Sequence, residues 1–204
     1  MTNISISLTQ FIDFTLTASG AARANYVHKV KTSEYFPGMD YWKQLREGIR
    51  EIHENNLPID HLYKIIDTVN EKKRENYRRS INQYVSFARK KDIEWFDIGA
   101  SHWSFNNQLT VRSQPELGLF IDGVPYLLKV YYKGKNTNIN KNKVVSALTL
   151  MDTSSRNFSP PYGAINAILN LNNKKLYESN GANKRLLLSL EGDAAQFVYL
   201  WNNL

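Results

Sequence analysis

Hydrophobic and polar positions along this chain follow two periods. From Ser7 to about Lys90 apolar residues recur at helical spacing, and from Glu94 onward they come as short aromatic and β-branched runs broken by Gly, Asn, Asp and Pro. Ser7 with Gln10 forms a capping box before Leu8, Phe11, Ile12 and Leu16, so a short helix is predicted to run to Gly20. The following NYVHKVK, Asn25 to Lys31, alternates as a strand does, and Phe36-Pro37-Gly38 reads as a turn. Asp40 then caps a helix whose stripe is Trp42, Leu45, Ile49 and Ile52, and whose other side mixes charges of both signs. Pro58 opens another, with Leu62, Ile65, Ile66 and Val69 inward. Thr68 with Glu71 is a second capping box, which breaks the helical region there; the next helix buries Tyr77, Ile81, Tyr84, Val85 and Ala88.

The extended half is organised around PELGLFIDGVPYLLKVYYK, Pro115 to Lys133. Asp122-Gly123 between two apolar runs predicts a two-residue hairpin turn, which sets Ile121 against Val124, Leu119 against Tyr126, Leu117 against Leu128 and Glu116 against Lys129. One face of this ribbon is wholly apolar, from Leu117 to Tyr132. The other carries Gly118, Phe120, Pro125 and Leu127 near the turn and Glu116, Lys129, Tyr131 and Lys133 at the base, so burial on both sides is expected at the tip and a polar side at the base. EWFDI, HWSF and QLTVR add strands before it. After the polar loop Lys133 to Lys143, Asn140 starts a helix with Val144, Val145, Leu148 and Met151 inward. SSRNFSPPYG is a loop, AILNL, KLYES and RLLLSL are further strands, and EGDAAQFVYLW closes the chain as a helix. The class expected is α+β in a single domain, 1–204: a helical part over roughly residues 1–92 packed on a mainly antiparallel sheet over roughly 93–204, with a closing C-terminal helix.

The absence of cysteine removes disulfides, thiolate nucleophiles and Cys-bearing zinc sites. With no secretory leader pattern at MTNISISLTQ and no apolar run near the ~20 residues of a membrane span, a cytoplasmic chain is expected. A formal charge of +7 and a pI of about 9.4 suit an acidic partner, with nucleic acid ahead of an anionic membrane. That charge is concentrated. Between Glu71 and Lys91 stand eight basic residues and two acidic ones, with Arg74, Arg78 and Arg89 along one flank of the apolar stripe and Lys72, Arg79 and Lys90 farther round. Lys133, Lys135, Lys141 and Lys143 occupy a stretch without an acid.

The function expected from this distribution is a non-catalytic nucleic-acid-associated binding protein, for DNA or RNA. It would contact phosphates through Arg74, Arg78, Arg79 and Arg89 and through Lys133, Lys135, Lys141 and Lys143, with no cofactor, metal or catalytic residue. A first alternative is a structural or inhibitory subunit that docks on a protein partner with Trp103 or Tyr131 as anchors. A second is a divergent metal-dependent nuclease using Glu116, Asp122 and Lys129. The layout resembles a restriction-endonuclease-like core in strand order, without its motif: Leu127 stands two residues before Lys129, where a metal-binding carboxylate is needed. Asp97 with His102, and His53 with His61, bracket turns but bring no third ligand. There is no P-loop, dinucleotide-binding turn, nucleophile elbow or H-E-x-x-H pair.

Overall fold

A computed structural model of the chain describes residues 4–33, 40–132 and 139–204. Its centre is the hairpin of β5 (Leu117–Ile121) and β6 (Val124–Tyr131). Asp122 and Gly123 both take positive φ, 52° and 81°, as the tight turn requires, and the pairs Ile121–Val124, Leu119–Tyr126 and Leu117–Leu128 follow from it. At Gly118 a Cβ would stand 2.5 Å from the Phe96 carbonyl oxygen, so this position has room for no side chain.

The other elements, in chain order, are β1 (Ile4–Ser7), α1 (Leu8–Leu16), α2 (Ala21–Thr32), α3 (Lys43–Glu54), a 3-10 helix (Ile59–Lys64), α4 (Ile65–Thr68) and α5 (Glu71–Ala88). These are followed by β2 (Ile93–Trp95), β3 (Ser101–Phe105), β4 (Leu109–Arg112), α6 (Lys141–Asp152), β7 (Ser155–Arg156), β8 (Ile165–Asn170), β9 (Lys175–Glu178) and α7 (Lys184–Asn203). The class is α+β, with seven α-helices and two mixed sheets among the described residues. One sheet has the order β1-β4-β3-β7 and the other β2-β5-β6-β8-β9. Most pairings are antiparallel. The exceptions are β1 with β4 and β6 with β8, the second made by a crossover through α6. No helix among the described residues is long and apolar enough to cross a membrane.

The five-stranded sheet is covered on both faces. Leu117, Leu119, Tyr126, Leu128, Val130 and Tyr132 meet α3, the 3-10 helix and α5 in one core. Tyr131 and Ile168, pointing the other way, join a second core with α1, α6, α7 and the four-stranded sheet. This double cover reverses the burial expected along the hairpin. Val124 beside the turn is 37% exposed, whereas Lys129 and Tyr131 at the base are 7% and 2% exposed. The N-terminal segment accounts for the difference: α1 lies over the base, where Tyr131 donates a hydrogen bond to Asp13 at 3.0 Å. Lys129 forms its ion pair with Glu116 there, and the other Glu116 oxygen accepts from the Val130 N–H at 3.0 Å.

Two segments expected as strands are helical. Asn25 to Lys31 lies within α2, where Tyr26, Val27 and Val30 pack inward, a one-then-three spacing that suits a helix as well as alternation does. Contacts to α7 hold it there, including Arg23 to Asp193 at 3.2 Å and the Lys31 ammonium to the Trp201 carbonyl at 2.8 Å. RLLLSL forms the first turns of α7, because the Asn183 side chain accepts from the Arg185 and Leu186 N–H groups and starts the helix ahead of it. The Ser7–Gln10 capping box is present, and so is the break before α5, although Asn70 rather than Thr68 caps it. The turn expected at Phe36-Pro37-Gly38 lies outside the described residues.

Glu116 and Lys129 are each less than a tenth exposed at the side chain, so the pair is buried and not a surface cross-strand contact. Removing one partner strands the other charge without water. Glu116→Ala is therefore expected to cost about 3–5 kcal/mol in urea unfolding at neutral pH, and Glu116→Leu combined with Lys129→Met to recover most of it. A single-variant loss below about 1 kcal/mol would mean the pair behaves as a solvated one.

Candidate nucleic-acid interface

Helix α5, with Arg89 as its C-cap, carries half of the predicted site. Asn70 caps it by accepting from the Lys72 N–H at 3.0 Å, and Tyr77, Ser80, Ile81, Tyr84, Val85, Phe87 and Ala88 fill its buried side. The remaining arc divides into two flanks with different electrostatics. On the first, Arg78 reaches Glu75 at 3.9 Å and Arg89 reaches Asp60 at 3.1 Å, leaving Arg74 as the member without a carboxylate partner among the described residues. On the second stand Lys72, Arg79 and Lys90. Arg79 donates from Nη2 to Asn76 at 3.0 Å, and its Nε is buried with no acceptor.

The fold adds a cation to this second flank that sequence reasoning missed. Lys174, in the β8–β9 turn with φ of 58°, brings its ammonium to 3.3 Å from the Ser86 hydroxyl of α5. None of Lys72, Arg79, Lys90 and Lys174 has a carboxylate within ion-pair distance among the described residues. The sequence signal for Lys174 is slight. It is one of two lysines after Asn172-Asn173, and only strand pairing across the sheet puts that turn beside α5.

The second predicted basic region does not share this surface. Lys141 and Lys143 are exposed in the first turn of α6, and α6 packs on the face of the five-stranded sheet opposite α5. Lys133 and Lys135 lie outside the described residues. The six predicted contacts among the described residues thus fall into an α5 group and an α6 group on opposite sides of one sheet.

Glu116, Asp122 and Lys129 do not converge either. Asp122 stays at the turn, where it accepts from the Asp92 N–H at 2.9 Å and meets Lys91 at 3.5 Å. Glu116 stands at the other end of β5, roughly 20 Å away along an extended strand. Glu116 and Lys129 line a cleft of ≈ 1200 Å³ together with Arg46, Arg112 and Asp13, but Arg46 is occupied by Asp40 at 2.7 Å. Among the described residues no three His, Asp or Glu side chains are placed to hold a metal ion. Asp97 accepts from the Trp95 indole at 3.1 Å, and His102 is exposed. The proposed protein-docking anchors are interior: Trp103 is 9% exposed against Phe11 and Phe105, and Tyr131 is 2% exposed.

His53 lies near the C-terminal end of α3, in a second concavity of ≈ 620 Å³, with its Nε2 2.6 Å from the Tyr84 hydroxyl. Burial lowers its pKa from 6.5 to about 4, so the imidazole is neutral at pH 7. It is a structural partner of Tyr84, whose own ionisation burial pushes far up.

Compared with known proteins, the chain matches no protein-family model and no curated protein.

Because folding lowers the His53 pKa, the unfolded chain binds the extra proton between about pH 6.5 and 4, and stability rises with pH across that window. Above it the contribution is complete; on acidification it is lost at up to about 1.4 kcal/mol per pH unit. Unfolding free energies measured from pH 7 to pH 4 are expected to show this slope, and His53→Phe is expected to flatten it.

Proposed function

We propose that this chain binds nucleic acid non-catalytically, through phosphate contacts along the Lys72, Arg79 and Lys90 flank of α5 with Lys174 beside it. The observation that carries the reading is the group of four cations on one surface with no carboxylate in ion-pair reach among the described residues. A cation already paired must give up its carboxylate before it can hold a phosphate, whereas an unpaired one exchanges only water and counterions. The flank that contains Arg78 and Arg89 is weaker on that ground, Arg74 being its one member without a carboxylate partner among the described residues. From Lys72 to Lys90 the helix rises roughly 27 Å, long enough to follow several phosphates of one strand.

Binding of this kind is sequence-independent, because phosphate contacts position a strand without reading its bases. The non-catalytic part of the proposal is supported by the separation of Asp122 from Glu116 and by the engagement of Glu116 with Lys129 and the Val130 N–H.

The test is binding of labelled single- and double-stranded DNA and RNA across a salt series, with the unmodified chain and two variants. Lys72→Gln, Arg79→Gln, Lys90→Gln and Lys174→Gln together are expected to weaken binding evenly over all sequences. They should flatten the slope of log affinity against log salt for duplex by about 3 to 4, near 0.9 for each lost contact. Arg78→Gln with Arg89→Gln should change it less. An unchanged slope in the fourfold variant refutes the site, and an affinity that vanishes below physiological salt refutes the function.

A further inference from the structure

The cleft of ≈ 1200 Å³ has no part in the α5 surface, yet its walls bring together the elements of an anion site. Strands β1 and β4 run parallel toward it, ending with Ser7 against Arg112, and β6 reaches it at Tyr131. The carboxyl ends of parallel strands, with a helix start beside them, are where open sheets hold phosphorylated ligands. Here β1 passes directly into α1, so that Ser7, Thr9 and Gln10 of the helix start line the cleft. The capping box takes up the Ser7 and Gln10 N–H groups, but no acidic side chain in the first turn offsets the positive end of the helix dipole.

Two uncommitted cations line the same cleft. Arg112 donates to the Ser5 hydroxyl at 3.2 Å and Lys29 is supplied by α2; both are exposed, and neither has a carboxylate in ion-pair reach among the described residues. The cleft's other cations are taken, Arg46 by Asp40, Arg50 by Glu54 and Lys129 by Glu116. A second observation is independent of charge. Tyr132 lines the cleft at 7% exposure, and its hydroxyl is buried with no hydrogen-bond partner among the described residues. A buried hydroxyl without an acceptor costs stability unless a bound molecule supplies one. Trp42 stacks on Tyr132 with ring centroids 5.5 Å apart, and its indole N–H also donates to nothing among the described residues.

We propose that this cleft binds a nucleoside 5′-phosphate. The phosphate is held by the first turn of α1 with Arg112 and Lys29, and the base lies toward Trp42 and Tyr132. A phosphomonoester presents three terminal oxygens and more than one negative charge, which suits donors arriving from three elements better than a carboxylate does. The volume is at the upper end of the ~300–1,000 Å³ of small-molecule sites, so base, sugar and phosphate fit together. Such a group comes as a free nucleotide or as the 5′ end of a strand. The second source rests on the nucleic-acid reading above, whereas the first stands without it.

Trp42 and Trp201 line the cleft, so intrinsic fluorescence reports its occupancy. Titrating the full chain with adenosine 5′-monophosphate should change that signal saturably, and adenosine should bind at least about tenfold more weakly. Arg112→Gln should weaken the monophosphate by about tenfold or more and leave adenosine unchanged. Thr9→Glu sets a carboxylate in the first turn of α1, so it should hold or raise the thermal midpoint through the helix dipole while abolishing monophosphate binding, which separates loss of the site from loss of the fold. No saturable signal up to about 5 mM, equal affinity for monophosphate and adenosine, or either variant within about twofold of the unmodified chain overturns the proposal. The fourfold α5 variant should bind the monophosphate unchanged, so failure of the α5 surface and failure of this site are told apart. Competition then assigns the source. A 5′-phosphorylated single strand that displaces the monophosphate, where its unphosphorylated twin does not, identifies a strand end, and Arg112→Gln should erase that difference while the salt slope of the unphosphorylated strand stays as it was. A phosphorylated strand that leaves the monophosphate in place identifies the free nucleotide.

Discussion

The two-residue turn at Asp122-Gly123 decides which side chains of the hairpin meet which helical layer, and both cores are built on that decision. Strand alternation leaves no partial error. A slip of one residue would move Leu128, Val130 and Tyr132 out of the α5 side and put Lys129 and Tyr131 into it. In a sheet solvated on one face such a slip exposes apolar surface; here, with both faces covered, it would also bury a charge among aromatic rings. The alternation within β6 is therefore constrained twice, by apolar fit on one side and by polar partners on the other.

Those polar partners explain why the N-terminal segment sits where it does. Lys129 with Glu116, and Tyr131 with Asp13, are buried groups that would be costly if left open, and α1 covers the base of the hairpin while supplying the Asp13 carboxylate. Apolar residues of the same size would hold the layers together at least as strongly, because desolvating the two charges offsets much of their attraction. What the ionic and hydrogen-bonded pairs contribute is selectivity. A hydrophobic face can slide over another, but Asp13 accepts from Tyr131 only when α1 lies in one position over the sheet.

Much of this was legible in residue order because it is local. The turn, its register, the caps at Ser7 and Asn140, the buried stripe of α5 and the inward side of the closing helix depend on residues a few positions apart. What escaped depends on distant contact. The stretch from Asn25 to Lys31 alternates well enough for a strand, and only docking on α7 makes it a helix. Division into two sheets rests on Ile4–Ser7 pairing with Leu109–Arg112, a parallel match across a hundred residues that no turn signals. The site was half legible for the same reason. Helical spacing alone separates Lys72, Arg79 and Lys90 from Arg74, Arg78 and Arg89 and places Glu75 beside Arg78, but Asp60 near the second set, and Lys174 near the first, arrive from other elements.

Net charge is thus a poor guide to where a partner binds, and residues that the fold does not use are a better one. Lys141 and Lys143 stand at the N-terminal end of α6, where the helix dipole disfavours cations. Being exposed and on the sheet face away from α5, they do not extend the α5 surface. Arg78 and Arg89 have carboxylates to hold. On the second flank of α5, Lys72 also faces an unfavourable dipole in the first turn, and Arg79 keeps a buried Nε–H without an acceptor, an arrangement that costs stability. Lys72 and Lys90 are exposed, and no carboxylate among the described residues pairs with either. Folding would be served as well or better by neutral side chains at these positions. The proposed strand of phosphates would supply negative charge along the helix, met by cations that have no carboxylate in ion-pair reach among the described residues.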